Sequence, residues 1–250
     1  MSRRPLHLAL SAAGYVGFTT VMLWTAAFLA GVIVPRTVDG PAHRGTGTAV
    51  AVDTSLLLLF AVQHSVMARR TVKSWLRRHT PQPLERTTYV LATDACLLLL
   101  LLLWQPWGGD VWHVGGVAAA LLWLVCVAGW VLAVASTFAV DHLELLGLRQ
   151  AGWAPERDAD ATALRTGGLH AVVRHPLMTG LLLAFWATPH LGASRLFFAL
   201  AASGYIAVGV WFEERDLRRT FGTTYDAYAD RVPALLPGVR LDPGARRRVS

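Results

Sequence analysis

The stretch Leu8–Val34 runs for 27 residues without a charged side chain, and no other feature narrows the fold as much. An α-helix rises about 1.5 Å per residue, so about 20 apolar residues cross a hydrocarbon layer of about 30 Å with every backbone polar group paired inside the helix. Three more runs are of similar length: Thr48–Ala68, interrupted only by Asp53, Thr87–Trp107, interrupted only by Asp94, and Val114–Val140. Two shorter runs follow, Pro176–Ser194 and Leu196–Phe212. Gly192 and Arg195 at their junction predict a tight helical hairpin. The first run exceeds the roughly 7–15-residue core of a signal peptide and is expected to stay attached as the first span. With 54% of residues hydrophobic and 16% charged, a disordered chain and a water-soluble globule are both excluded. The expected fold class is all-α: a polytopic membrane helical bundle of four long spans, a C-terminal helical hairpin and a cytoplasmic amphipathic helix.

Of the 23 Lys and Arg, 20 lie before the first run, in the second and fourth loops, or after the hairpin. By the positive-inside rule both termini and these loops are then cytoplasmic. Because the basic residues alternate with membrane runs instead of forming one stripe, nucleic acid is not an expected partner. Cys96 and Cys126 sit inside apolar runs and form no CxxC pair, so neither a disulfide framework nor a zinc knuckle is predicted. His170 and His175 belong to no three-ligand set, and no metal is expected. Gly45-Thr46-Gly47 lacks the third glycine and preceding strand of a dinucleotide fingerprint. Trp153–Thr162 reads as a loop. Beyond Phe212, Leu217, Phe221, Tyr225, Tyr228 and Val232 form an amphipathic stripe predicted to lie along the membrane surface. Gly222 is expected to split this helix, Thr223 and Asp226 to form a capping box, and Pro233 and Pro237 to end it.

Two segments at the inner ends of the hairpin carry most of the chemistry. In Arg174-His175-Pro176-Leu177-Met178-Thr179-Gly180, Pro176 suits the first turn of a helix, whose free N–H groups attract a carboxylate. Arg174 adds a planar two-pronged donor, and Gly180 permits close approach of another backbone or a flat ligand. The plainer alternative is an interfacial arginine anchoring a span. In Phe212-Glu213-Glu214-Arg215-Asp216 the carboxylates suit hydroxyls or an ammonium. The alternative here is a solvated helix turn with Glu214 paired to Arg218. If the hairpin closes, both segments face each other and form a pocket matched to a zwitterionic amino-acid moiety bearing an apolar ring and a ribose.

These residues resemble the isoprenylcysteine carboxyl methyltransferase-like integral membrane methyltransferases. The resemblance rests on Arg174-His175-Pro176, Gly180, Glu213-Glu214, Leu217, Phe221-Gly222, Tyr225, Tyr228, Val232 and Pro233, in that order and spacing. Met178 stands where that family has Tyr. The motifs Gln63-His64-Ser65-Val66-Met67-Ala68-Arg69, Pro83-Leu84-Glu85-Arg86-Thr87-Thr88-Tyr89-Val90 and Phe138…His142…Gly147-Leu148-Arg149-Gln150 are similar to the bacterial branch that methylates methanethiol to dimethyl sulfide. The resemblance implies S-adenosylmethionine as cofactor, bound by Arg174, His175, Pro176, Gly180, Glu213 and Glu214. It implies a single domain, with residues 1–140 a four-span bundle and 141–250 the cofactor-binding part, and as partners a small thiol and the lipid bilayer.

A thiol must lose its proton before it attacks a sulfonium. His64, His142 and Glu213 are the candidates to remove it, with Gln63 and Tyr89 lining the acceptor's site. Asp94, costly inside a membrane, is expected to hydrogen-bond a Tyr or Thr on another helix. Other acceptors stay open: a longer thiol, a prenylcysteine carboxylate or a lipid amine. A non-catalytic role in nitrogen-oxide metabolism is the alternative outside enzyme chemistry.

Overall fold

The computed structural model describes residues 4–155 and 164–237; most of the 153–162 loop and the C-terminal arginines from position 240 onward lie outside them. Among the described residues, five helices are long and apolar enough to cross a membrane. They are α1 (Arg4–Ala30), α2 (Thr46–Met67), α4 (Glu85–Leu103, continuous with a 3-10 turn at Gln82–Leu84), α5 (Gly116–Val140) and α9 (Ala193–Phe221). Between them stand the ten-residue α3 (Arg70–His79), two single-turn helices, α6 (His142–Leu145) and α7 (Leu148–Ala151), and the short apolar α8 (Pro176–Trp186); α10 (Thr223–Ala229) follows. The protein is an all-α, multi-pass membrane bundle.

The first four spans match the apolar runs, with ends shifted by a few residues. The first helix starts earlier, at Arg4, and stops at Ala30, because Gly31 and Ile33 both take positive φ (73° and 70°) and turn the chain.

The hairpin differs more. Its first leg, α8, is 11 residues, a rise of about 17 Å, too short to span. The remaining depth is covered by residues 187–192, which run extended. Non-helical backbone at such depth persists only where protein satisfies it. Here β2 (His190–Gly192) pairs antiparallel with β1 (Asp110–His113), Val114 N–H donates to Pro189 O at 2.8 Å and Trp112 Nε1 donates to Thr188 O at 3.0 Å. The sequence reading contained no strand here, since so short a ribbon has no periodicity of its own.

Arg195 is not a loop residue. It sits in the first turn of α9, 2% exposed. Its guanidinium donates to Leu29 O near the end of α1 and, at 3.4 Å each, to Ala184 O and Phe185 O near the end of α8. One cation thus serves carbonyls that two helix ends leave unpaired. Asp39, in the α1–α2 loop, completes the joint by accepting from Gly192 N and Arg195 N at 2.9 Å each. The second leg then continues unbroken to Phe221, so the acidic pair lies inside α9, not at its end.

The long helix α5 packs most closely on α8. A Cβ at Gly129 would stand 2.7 Å from Gly180 O, and one at Gly180 2.6 Å from Gly129 O and Ala133 N. Backbones can come this near only over small residues. Gly180 therefore faces α5, and of the two roles its sequence context allowed, close approach of a backbone is the one observed. Of the buried acids, Asp53 accepts from Gln105 N at 2.9 Å and holds the end of α4. Asp94 corrects its expectation: both carboxyl oxygens lack a hydrogen-bond partner among the described residues. It faces Gly17 of α1, while the neighbouring Thr93 hydroxyl is donated to Tyr89 O.

Candidate active site

The two hairpin ends meet. Arg174 and His175 precede α8 in an extended segment whose N–H groups donate to Pro233 O (2.9 Å) and Ala234 O (3.0 Å), so the chain after α10 lies across the start of α8. The Arg174 Nε and Nη2 donate to one oxygen of Glu214, at 2.9 and 2.5 Å. Its Nη1 donates to Ala229 O (2.9 Å) and Val232 O (2.6 Å). Arg218 stands 3.3 Å from the second Glu214 oxygen. Both readings of Glu214 are thus realised at once: it pairs along its own helix and across the hairpin. The side chains of Arg174 and Glu214 are 6% and 8% exposed.

His175 lies between the acidic pair, its Nε2 3.3 Å from Glu214 Oε1 and its Nδ1 3.5 Å from Glu213 Oε2. Burial alone would lower its pKa, but carboxylates at both nitrogens outweigh that and raise it to about 9. The ring is an imidazolium at neutral pH. Glu213, with 54% of its side chain exposed, is the acidic group of this cluster that faces outward.

Every nitrogen of Arg174 is engaged within the chain, so the carboxylate it grips is that of Glu214. One residue beyond His175, Pro176 opens onto an apolar cleft of about 210 Å³, lined also by Leu132, Val173, Thr179, Leu183 and Leu236. Met178 packs on the hydrophobic core. An exposed carboxylate suits the cationic or hydroxylated end of a ligand, and an apolar cleft suits a flat apolar body.

Tyr225 and Tyr228, expected along the membrane surface, are 0% and 4% exposed. They turn inward against the tips because Gly222, at φ 54°, reverses the chain after α9. The Tyr228 hydroxyl donates to His170 O at 2.5 Å. Tyr225 lies under the Arg218 guanidinium, and burial, reinforced by the charge of Glu214, pushes its phenol well above the ordinary range. The capping box is absent: Gly222 is the N-cap of α10, and Asp226 pairs with Arg218 at 3.4 Å.

The other candidates form two separate sets. His64 on α2 has the Tyr89 hydroxyl of α4 2.9 Å from both ring nitrogens, so one phenol faces both, and the tautomer of the ring sets which of them it pairs with. Gln63 Nε2 reaches Met67 Sδ at 3.2 Å and Thr93 Oγ1 at 3.5 Å. His142, after α5, is closed on both sides. Thr137 donates its hydroxyl to Val134 O and therefore accepts from His142 Nδ1 at 2.7 Å. Nε2 is then left to accept from Tyr15 at 3.2 Å. Burial lowers the pKa of His142 despite the nearby Asp141. The sequence reading missed Tyr15, Thr137 and Tyr205 around the histidines. Lone hydroxyls in apolar runs carry no local signal of what they face.

The NnrU protein family model matches residues 54–220. Methanethiol S-methyltransferase 2 of Bradyrhizobium diazoefficiens is 46% identical over 224 residues, 89% of this chain and 86% of that protein. Methanethiol S-methyltransferase of Mycobacterium tuberculosis is 41% identical over 238 residues, 94% of this chain and 97% of its own length. Nurim of Sus scrofa is 33% identical over 179 residues, 68% of each chain. No solved structure matches. The chain belongs to the NnrU protein family, in the company of proteins named methanethiol S-methyltransferase.

Proposed function

We propose that this protein transfers a methyl group from S-adenosylmethionine to methanethiol, releasing dimethyl sulfide. The observation that carries the reading is the half-exposed Glu213 carboxylate against His175, the residue that precedes Pro176 in the wall of an apolar cleft, in a chain whose relatives are named for this reaction. Bound S-adenosylmethionine supplies a sulfonium methyl, whose S–C bond breaks as the thiolate sulfur takes the carbon.

The residues present fit that donor. Glu213 would hold its ammonium or ribose hydroxyls, and the apolar cleft lined by Pro176 and Leu236 would hold its adenine. Arg174, His175 and Glu214 hold the tip rigid so that Glu213 is presented in one place, and Gly180 keeps α8 seated on α5. The thiol proton goes to His64, whose ring stands against the Tyr89 hydroxyl, and Gln63 adds an amide on the same helix. His142 has no lone pair to spare and serves to join α1 to α5.

Sulfonium and thiolate attract each other more strongly where water is excluded, and their product is neutral, so an apolar setting favours the transfer. Methanethiol, small and apolar, enters from the bilayer. Both termini and the donor site face the cytoplasm, since 20 of 23 Lys and Arg lie at that end.

The test is a sealed-vial assay of detergent-purified protein with methyl-labelled S-adenosylmethionine and methanethiol. Labelled dimethyl sulfide in the headspace is the expected result. Label transferred only to a prenylcysteine carboxylate or a lipid amine, or to nothing, overturns the assignment.

A further inference from the structure

Helices α2 and α9 are joined by side chains with little close backbone approach, and the side chains at this seam are aromatic. His64 stacks on Phe60 (centroids 5.4 Å, planes 22° apart). The Tyr205 ring meets His64 edge-on at 6.4 Å and Phe60 at 6.0 Å, and Tyr89 lies 5.2 Å from His64 on the α4 side. The Tyr205 hydroxyl is 3.1 Å from Ser65 Oγ. Gly204 precedes Tyr205 and Gly209 follows one turn later; a Cβ at either would meet no atom within 4 Å. Toward the hairpin tips, the same stretch of α9 carries Phe212, beneath the Arg69 guanidinium at 5.2 Å, and then Glu213.

We propose that Phe60, Tyr89 and Tyr205 wall the acceptor site around His64, and that Tyr205, fastened to Ser65, sets the largest thiol the site admits. This rests on the thiol methyltransferase reading above and specifies its acceptor site. Aromatic faces suit both partners of the reaction: they offer an apolar surface to an alkyl thiol and a negative quadrupole to a sulfonium. The base sits inside the box. A thiol reaching the His64 ring lies against the Tyr205 ring, where each further methylene must displace it. One methylene in an apolar pocket is commonly worth about 10–200-fold in kcat/KM. Seam and box together give a lipid-dissolved thiol a way in between two helices that only side chains close. Tyr205 acts here as a specificity-determining residue, and Ser65 positions it.

The experiment compares methanethiol with 1-butanethiol as acceptors for wild type, Tyr205→Ala, Tyr205→Leu and Ser65→Ala, together with equilibrium binding of S-adenosylmethionine to each. Wild type is expected to prefer methanethiol strongly. Tyr205→Ala is expected to raise the 1-butanethiol-to-methanethiol ratio of kcat/KM at least about 10-fold, through a lower KM for the longer thiol, with donor affinity unchanged. Ser65→Ala should move the ratio in the same direction by less. Trp211→Ala, exposed on the same helix, should leave it alone. Folded variants at Tyr205 that bind the donor yet keep the wild-type ratio overturn the proposal. If Tyr205→Ala does not fold, the comparison rests on Tyr205→Leu and Ser65→Ala, and the wild-type ratio in both overturns it equally. Wild type that binds donor but turns over neither thiol instead refutes the thiol methyltransferase reading itself, before any variant is made.

Discussion

Two hydrogen bonds from Arg174, at 2.9 and 2.5 Å, converge on one oxygen of Glu214 and tie the segment before α8 to the helix that returns beside it. The pair is buried. It makes the hairpin tip one rigid body, because the same guanidinium also holds the carbonyls of Ala229 and Val232.

Removing one partner leaves the other charge buried and unpaired, which in comparable settings costs about 3–5 kcal/mol. Arg174→Ala is therefore expected to lower the thermal midpoint in detergent sharply. Arg174→Lys should recover only part of the loss, since an ammonium cannot reproduce the fork. The double variant Arg174→Met with Glu214→Leu should be more stable than either single loss. Thermal unfolding of wild type, Arg174→Ala, Arg174→Lys, Glu214→Leu and the double variant checks this; equal midpoints for Arg174→Ala and wild type would contradict it.

How much of this was legible before the fold was known follows from the physics of each part. The spans were, because an uncharged run of 27 residues has few other solutions in water or lipid. So was the meeting of Arg174 and His175 with Glu213 and Glu214, since a hairpin brings its ends together. What Arg174 grips was not: sequence shows a donor but not whether a ligand or Glu214 fills it. Arg195 read as a loop charge because its partners, Leu29 O, Ala184 O and Phe185 O, are backbone groups that no side-chain pattern announces. Tyr225 and Tyr228 kept a helical period but not the face expected of them, since that face is set by the positive φ of Gly222.

His175 gives the tip a pH dependence of known sign. With its pKa raised from 6.5 to about 9 by the carboxylates of Glu213 and Glu214, against burial, its contribution to stability is complete below about pH 6.5. That contribution fades as pH rises through about 9. Glu213→Gln removes one carboxylate and should bring the alkaline decline to lower pH. Thermal midpoints recorded from pH 6 to 10 check this, and an unshifted alkaline limb in the variant would contradict it.

The two histidines of the N-terminal half should separate kinetically. His64→Asn is expected to lower kcat by about 10²–10⁴-fold, leave donor affinity unchanged, and regain rate as pH approaches the thiol's own pKa, near the 8.5 of cysteine. His142→Asn breaks the bonds to Thr137 and Tyr15 and should cost about 1 kcal/mol of stability for each, with kcat within a few-fold of wild type. Rate–pH profiles and melting curves of both variants decide it; a larger rate loss in His142→Asn would reverse the assignment.

The most direct test of the central claim, that the joined hairpin tips hold the methyl donor, is equilibrium binding of labelled S-adenosylmethionine to the purified protein and to Glu213→Gln. The account predicts saturable binding of one donor per chain. In the variant the dissociation constant should rise about 10–100-fold, the worth of one hydrogen bond to a charged group, with the melting point at neutral pH little changed. No saturable binding to the wild type, or identical affinity in the variant, would contradict it.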